Sequence, residues 1–322
     1  MAINSMVRYT VPSVPRIYEI GHIVSNRYAD RRQRGMLPIL WACGVCWGWE
    51  SDYLIEMLGV SFCEPTCAPN ATVVVMNSWH NRGRGNTFAR KQIVQNGRGK
   101  IPILFHKSDE HCDSAAFENE FYPRFELVLR QYRCGRKYAA RSRGEVRVVP
   151  LGYMTNMFNG NKSTRYMGAP GHRNYVWAFA GNAQKSTDRK AMLRALNLTR
   201  PHLLHDTGVR KAGPLAAHQV HTLYRRAVFV PSPAGANLDC FRNSEAVIAG
   251  AVPVVVASKG AIENAFGPAA TRPRFLYANS WPAAAVAMKQ LLATPATLMT
   301  QQQILALWWQ RQMKTSKMSV AH

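Results

Sequence analysis

Acidic residues are scarce in this chain. Its 322 residues hold 18 Asp and Glu against 41 Lys and Arg, a net charge of +23. The second half is the poorer one: from residue 151 onward the acids are Asp188, Asp206, Asp239, Glu245 and Glu263. Such a balance favours a polyanion, a phosphate-bearing ligand or an anionic membrane surface as partner. No acid pair in this half looks like a magnesium site. Long apolar runs are also missing. None reaches the ~20 residues that span a bilayer, so no transmembrane anchor is expected and membrane contact would be peripheral. The opening residues lack a continuous apolar core and a small-residue cleavage site, which predicts a cytoplasmic protein, or a lumenal one if a leader precedes them. Basic blocks and aromatic-basic alternation are absent as well, so nucleic acid is not the expected partner.

Cysteine is sparse and odd in number. The seven stand at 43, 46, 63, 67, 112, 134 and 240, and an odd count predicts reduced thiols. Cys43-x2-Cys46 and Cys63-x3-Cys67 have the spacing of a zinc site. Against that, Cys43 and Cys46 lie inside "LPILWACGVCWGW", which reads as a buried strand and its exit loop.

What is present is hydrophobic content of 47%, enough for real cores, arranged as alternating strands and helices. In the first half, strand-like runs stand at 36–45, 71–78, 100–110 and 146–152. Helical spacing appears at 50–59, 86–97 and 115–132, with Gly59 and Gly97 as stops. The polar, aperiodic "NGNKSTRYMGAPGHRN" predicts a linker over 159–174. The alternation then restarts, with strands at 175–181, 202–208, 228–233, 251–258 and 274–279. Helices are expected at 188–198, 214–227, 241–250, 282–293 and 298–313, the last packing the tryptophans of "LWWQRQ" on a domain surface. This is the pattern of two α/β domains with parallel sheets, 1–158 and 175–322, facing across a cleft.

Two stretches of the second half carry chemistry. In "FVPSPAGANLDCFRNSEAVIAGAVPVVV" a strand gives way to a loop holding Ser232 and Gly235, and a helix begins near Phe241. A loop running into a helix N-terminus suits an anion, and Arg242 adds a forked donor in the first turn. Asp239 is near the cap. Glu245, one turn after Arg242, could receive both hydroxyls of a ribose. Read more plainly, Asp239 is a cap and Arg242 pairs with Glu245 at i, i+3. In "FAGNAQKSTDRKAML" a strand ends at Gly181 and opens a polar loop, with Arg189 and Lys190 in the first turn beyond. Its amides and charge could reach a diphosphate. In the first half, "LFHKSDEH" places His106, Asp109, Glu110 and His111 at a strand end, where a carboxylate could act as a general base or Ser108 and Asp109 could cap a helix. The glycine-bearing "NRGRGNTF" at 81–88 is a mobile turn more than a phosphate loop.

The run at 229–256 resembles the C-terminal motif of exostosin-like glycosyltransferases: a Ser/Pro/Gly loop, an Asp, an Arg, a Glu and then G-x-x-P-V. "KSDE" at 107–110, "VVPLGY" at 148–153 and "FAGNAQKSTDRKAML" at 179–193 agree with it. The resemblance implies a GT-B fold of two Rossmann-like α/β domains. It implies an acceptor domain at 1–158, a nucleotide-sugar domain at 175–322, and inverting transfer to a glycan or glycoconjugate hydroxyl. It also implies a UDP-linked donor and no metal or other cofactor. On this reading Asp109 and Glu110 are the catalytic candidates, with Asp109 favoured as the base. Gly181, Arg189, Ser232, Gly235, Asp239, Arg242 and Glu245 hold the donor. The rival readings are a basic nucleic-acid-binding protein and a nucleotide-sugar-binding protein without catalysis.

Overall fold

The computed structural model describes residues 41–44, 50–58, 62–64, 73–77, 103–107, 110–134, 144–158, 173–208 and 213–321. The helix expected at 86–97, the turn at 81–88, Asp109 and most of the expected linker lie outside them. Six strands form the first sheet: β1 (Trp41–Gly44), β2 (Phe62–Glu64), β3 (Val73–Asn77), β4 (Ile103–Lys107), β5 (Leu127–Arg130) and β6 (Glu145–Val148). Their spatial order is β2-β1-β3-β4-β5-β6, and every pair is parallel. Helix α1 (Ser51–Leu58) follows β1 and α2 (Ala115–Phe121) precedes β5.

The second sheet contains β7 (Tyr175–Gly181), β8 (His202–Asp206), β9 (Ala227–Pro231), β10 (Val252–Val256) and β11 (Leu276–Ala278), in the order β11-β10-β9-β7-β8 and again wholly parallel. Between and after these strands run α3 (Thr187–Leu196), α4 (Ala217–Arg225), α5 (Phe241–Ile248), α6 (Lys259–Phe266), α7 (Trp281–Ala293) and α8 (Pro295–Ala321). Serines start three of the helices: Ser186, Ser258 and Ser280 each accept a first-turn amide, which satisfies one of the orphan donors of a helix end. The architecture is the expected pair of Rossmann-like α/β domains.

Parallel sheets must bury both faces, and alternation along single strands does this. In β3, Val73 and Val75 join one apolar cluster while Val74 and Met76 join another. In β7, Trp177 and Phe179 face one cluster and Ala178 the other. Burial of each such valine, methionine or phenylalanine stabilises by ~1.5–3 kcal/mol. One cluster runs through both domains, because α8 crosses back onto the first and sets Trp309 against Tyr53, with ring centroids 6.1 Å apart. Tyr53 in turn donates to the Pro150 carbonyl at 2.7 Å. Gly152, at φ +90°, is what admits its ring: a Cβ there would stand 2.1 Å from it.

Three expectations need correction. The helix expected over 115–132 ends at Phe121, because Pro123 closes the chain into a short 3-10 turn, and Leu127–Arg130 becomes strand β5. The return of β5 brings residue 134 beside 112, and Cys112 and Cys134 form a disulfide with Cα atoms 5.4 Å apart, where reduced thiols were expected. Helix α6 follows β10 where no element was foreseen. Of the cysteines with zinc spacing, Cys43 and Cys63 lie on the neighbouring strands β1 and β2, while Cys46 and Cys67 lie outside the described residues. Among the described residues there is no metal-competent cluster and no helix long and apolar enough to cross a membrane.

Candidate active site

The carboxyl ends of the two sheets face each other. Asn237, in the loop after β9, donates through Nδ2 to the carbonyl of Glu110 at 3.2 Å. The backbone amide of Met154, just past β6, donates to Glu245 Oε1 at 3.3 Å. These contacts bring the segment 237–245 to the first domain, at the strand-end loop that carries Glu110, whose side chain is exposed, and at the chain past β6.

Arg242 does not pair with Glu245. Its guanidinium leaves the first turn of α5 toward the end of β7, with Cζ 4.8 Å from the centre of the Phe179 ring and Nη2 3.4 Å from the Ala180 carbonyl. Gly181 is beside it, its absent Cβ position 3.5 Å from Nη2. Arg189, in the first turn of α3, donates through Nη1 to the Asn182 carbonyl at 2.8 Å. In both arginines the Nε–H is buried and has no hydrogen-bond partner. Burial lowers the pKa of Arg189, and the neighbouring charge of Arg242 lowers it further. Two guanidiniums held together with an unsatisfied donor on each are the electrostatic setting of an anion site.

The loop amides contribute less than the sequence predicts. Those of Ala183 and Gln184 go to Asp206 Oδ1 and Asn182 Oδ1, both at 2.9 Å. The amide of Ala234 goes to Asp188 Oδ2 at 3.1 Å. Ser232 is fully buried, its amide extending the β10 pairing at Val254 and its hydroxyl 3.4 Å from Cys240 Sγ. Gly235 stands at the exposed tip with nothing within 4 Å of a would-be Cβ. The arginines therefore carry the site's positive charge, and the loops around them are braced by acids.

Asp188 is the brace that sequence reasoning missed. It joins α3, the loop after β9 and, through Trp281 Nε1 at 2.6 Å, the start of α7. Its place directly before Arg189 was the available signal. Arg173 is a second missed element: Nη1 donates to the carbonyls of Tyr224, Arg225 and Ala227, and Nη2 to Ala249, so one guanidinium closes the carboxyl ends of α4 and α5. Burial, with Arg225 nearby, pushes its pKa down to about 10.

Glu245 is 5% exposed, and burial raises its pKa despite Arg242 and the Met154 amide. Burial pushes the Asp239 carboxyl up to about 7, with the Asn243 side chain opposing the shift. His106 is fully buried, its Nδ1 2.7 Å from the Tyr122 hydroxyl and its ring stacked 4.4 Å from Phe117. It belongs to the core network in which Arg130 meets Glu118 at 2.6 Å. Nearby, Lys107 and Glu50 form a second buried ion pair, at 3.0 Å.

No protein-family model and no curated protein matches the chain. Among solved structures it is similar to an α1,3-fucosyltransferase at 13% identity, over 86% of this chain and 90% of that one, with a TM-score of 0.46. It is similar to a sucrose-phosphate synthase from Thermosynechococcus elongatus at 14% identity, over 77% and 72%, with a TM-score of 0.47. A third is WaaG, a glycosyltransferase involved in lipopolysaccharide biosynthesis, at 12% identity over 88% and 95%, with a TM-score of 0.39.

Proposed function

We propose that the chain is a GT-B type, exostosin-like glycosyltransferase that takes a UDP-linked sugar as donor and transfers it, with inversion, to a glycan or glycoconjugate hydroxyl. The observation that carries this reading is the pair Arg189 and Arg242, each with a buried, unpartnered Nε–H at the carboxyl ends of β7 and β9. A diphosphate lying between them would receive donors from both guanidiniums, and the charge that develops on the leaving group would be met by them without a metal. Glu245 Oε1 accepts from the Met154 amide, and Oε2, which no described protein group reaches, would take ribose hydroxyls.

In this reading residues 1–158 hold the acceptor and 175–322 the donor. The acceptor hydroxyl loses its proton to Asp109, or to Glu110, as its oxygen attacks the anomeric carbon. The bond from that carbon to the diphosphate breaks, and its electron pair leaves with the nucleotide. Support for the placement comes from Asn237, which joins the loop after β9 to the Glu110 backbone.

The test is a melting-temperature shift with UDP and with GDP in EDTA, beside oligonucleotides at matched ionic strength, followed by nucleoside diphosphate release across a donor panel. Nucleotide stabilisation that survives salt, with release of nucleotide, is the expected result. Steeply salt-sensitive oligonucleotide binding without a nucleotide shift would replace the reading with the nucleic-acid one. Asp109→Asn should lower kcat by ~10²–10⁴-fold with donor affinity kept; if Glu110→Gln does so instead, the roles are exchanged.

A further inference from the structure

A cavity of about 170 Å³ lies between the domains, lined on the first by Arg133 and the chain leaving β6 and on the second by Asp239, Ser244, Phe275, Trp308 and Gln312. It is not the arginine site. Ser244 stands two residues beyond Arg242, some 200° around α5 at 100° per residue, so the helix separates the two. We propose that this cavity is a saccharide subsite that seats one pyranose-sized ring, with the ring's C–H face on the aromatic wall and its hydroxyls on Asp239 and Ser244.

Four observations carry the assignment. The wall has two chemistries: Phe275 meets Phe266 and Trp308 edge-on, at centroid distances of 5.5 and 5.9 Å, which makes one continuous aromatic side. The polar side combines a carboxylate, a hydroxyl, the Gln312 amide and a guanidinium, a set that matches the alternating donors and acceptors of a polyol and suits an apolar ring poorly. Ser244 is 2% exposed, and it lines the cavity from α5. A ligand hydroxyl seated there would find a donor and acceptor shielded from bulk water.

The cavity is also shaped by a specific backbone feature. Gly267 holds φ +89°, and a Cβ there would come within 3.0 Å of Arg133 Nη1. The glycine thus lets the arginine of one domain lie against the other. Size and charge narrow the ligand. The volume exceeds the ~10–15 Å³ that one water needs and falls below the ~300–1,000 Å³ of clefts that hold drug-sized ligands, so one ring fits and a whole nucleotide does not. Asp239 and Arg133 line the same space and offer it an acceptor and a donor together, which suits neutral hydroxyls better than a phosphate.

The inference extends the glycosyl-transfer reading, giving it a sugar-recognising pocket apart from the diphosphate site. The experiment is saturation-transfer NMR on the full chain with glucose, galactose, mannose, xylose and N-acetylglucosamine presented singly, beside UDP. Transfer to at least one sugar is expected, reduced tenfold or more in Asp239→Asn and in Trp308→Leu, with UDP affinity unchanged in Trp308→Leu. Ser244→Ala, which removes one atom from a folded helix, keeps the test valid if Trp308→Leu does not fold. Sugar signals that are absent, or equal in wild type and all variants, overturn the proposal. So does loss of UDP affinity in Trp308→Leu, which would make the cavity part of the nucleotide site. Failure of UDP to bind the wild type would remove the donor reading and leave the saccharide result standing.

Discussion

The carboxylate of Asp188 accepts the indole N–H of Trp281 at 2.6 Å, across 93 residues of chain. Its other oxygen holds the amide of Ala234. Because Arg189 is the next residue, the direction of its guanidinium is tied to this brace. Asp188→Ala leaves a buried indole N–H and a loop amide without partners, at a cost of about 1–3 kcal/mol for each. The expected outcome is a lower Tm and weaker UDP binding, read by calorimetry and titration. An unchanged Tm would mean that water replaces both bonds.

Arg242→Lys and Arg189→Lys should each weaken UDP binding tenfold or more in the presence of EDTA. An ammonium keeps the charge and loses the planar fork. Circular dichroism should report an intact fold, since both guanidiniums make few bonds within the protein. Restoration of binding by magnesium or manganese would point to metal-assisted charge stabilisation instead.

Glu245→Gln tests the ribose role apart from the structural one. The amide oxygen of Gln still accepts from Met154, so the fold should stand. The loss of carboxylate bonds to ribose should weaken UDP by about 1–3 kcal/mol and leave inorganic pyrophosphate binding as it was. Equal loss for both ligands would place Glu245 in the support of Arg242.

Asp239 makes stability depend on pH in a stated direction. Its carboxyl moves from 3.8 to about 7 on burial, so the folded form favours the proton. That contribution is full below about pH 4 and is lost as pH rises through 7. The charged form also raises the hydroxyl pKa of Tyr53, Tyr132 and Tyr277 around it, though burial is the larger cause for each; Arg133 lines the same cavity. Asp239→Asn is neutral throughout. Its Tm should exceed the wild-type value at pH 8 and match it at pH 4. Parallel Tm curves over that range would refute the burial argument.

The Cys112–Cys134 bridge closes a loop of sequence separation 22 next to Glu110, and Asn237 donates to both the Glu110 carbonyl and Cys112 Sγ. Closing a loop of this length stabilises by about 3 kcal/mol in the chain-entropy account. Cys112→Ser with Cys134→Ser should lower Tm and slow turnover, and dithiothreitol should reproduce both in the wild type. Turnover indifferent to the reductant would separate the bridge from the site.

The fold was legible where burial and period agree. "YVWAFAG" is a strand over the residues its pattern predicts, and Gly181, Arg189 and Arg242 do converge at one place. The rest was not written locally. "FELVLRQY" fits helical spacing as well as strand spacing, and the proline before it together with its neighbours in the sheet decided for β5. Helix α6 begins "KGAIENAF", where a glycine hides a short helix that Ser258 caps. Asp188 could not be read as a brace, because its partners are 46 and 93 residues away.

The five acids of the second half have a consequence for the molecule in solution. Asp188, Asp206 and Glu245 bind backbone amides, an indole adds to Asp188, and Asp239 lies beside the Asn243 amide. None of them, nor Glu263, forms an ion pair among the described residues. The described lysines and arginines of this half therefore find no acid of their own half in an ion pair, and mobile counterions neutralise them, in a cloud that thins over a Debye length of ~8 Å at physiological ionic strength. Each multivalent anion that docks releases some of that cloud, so the buffer salt is a competing ligand: phosphate and sulfate will mask affinity that chloride leaves visible.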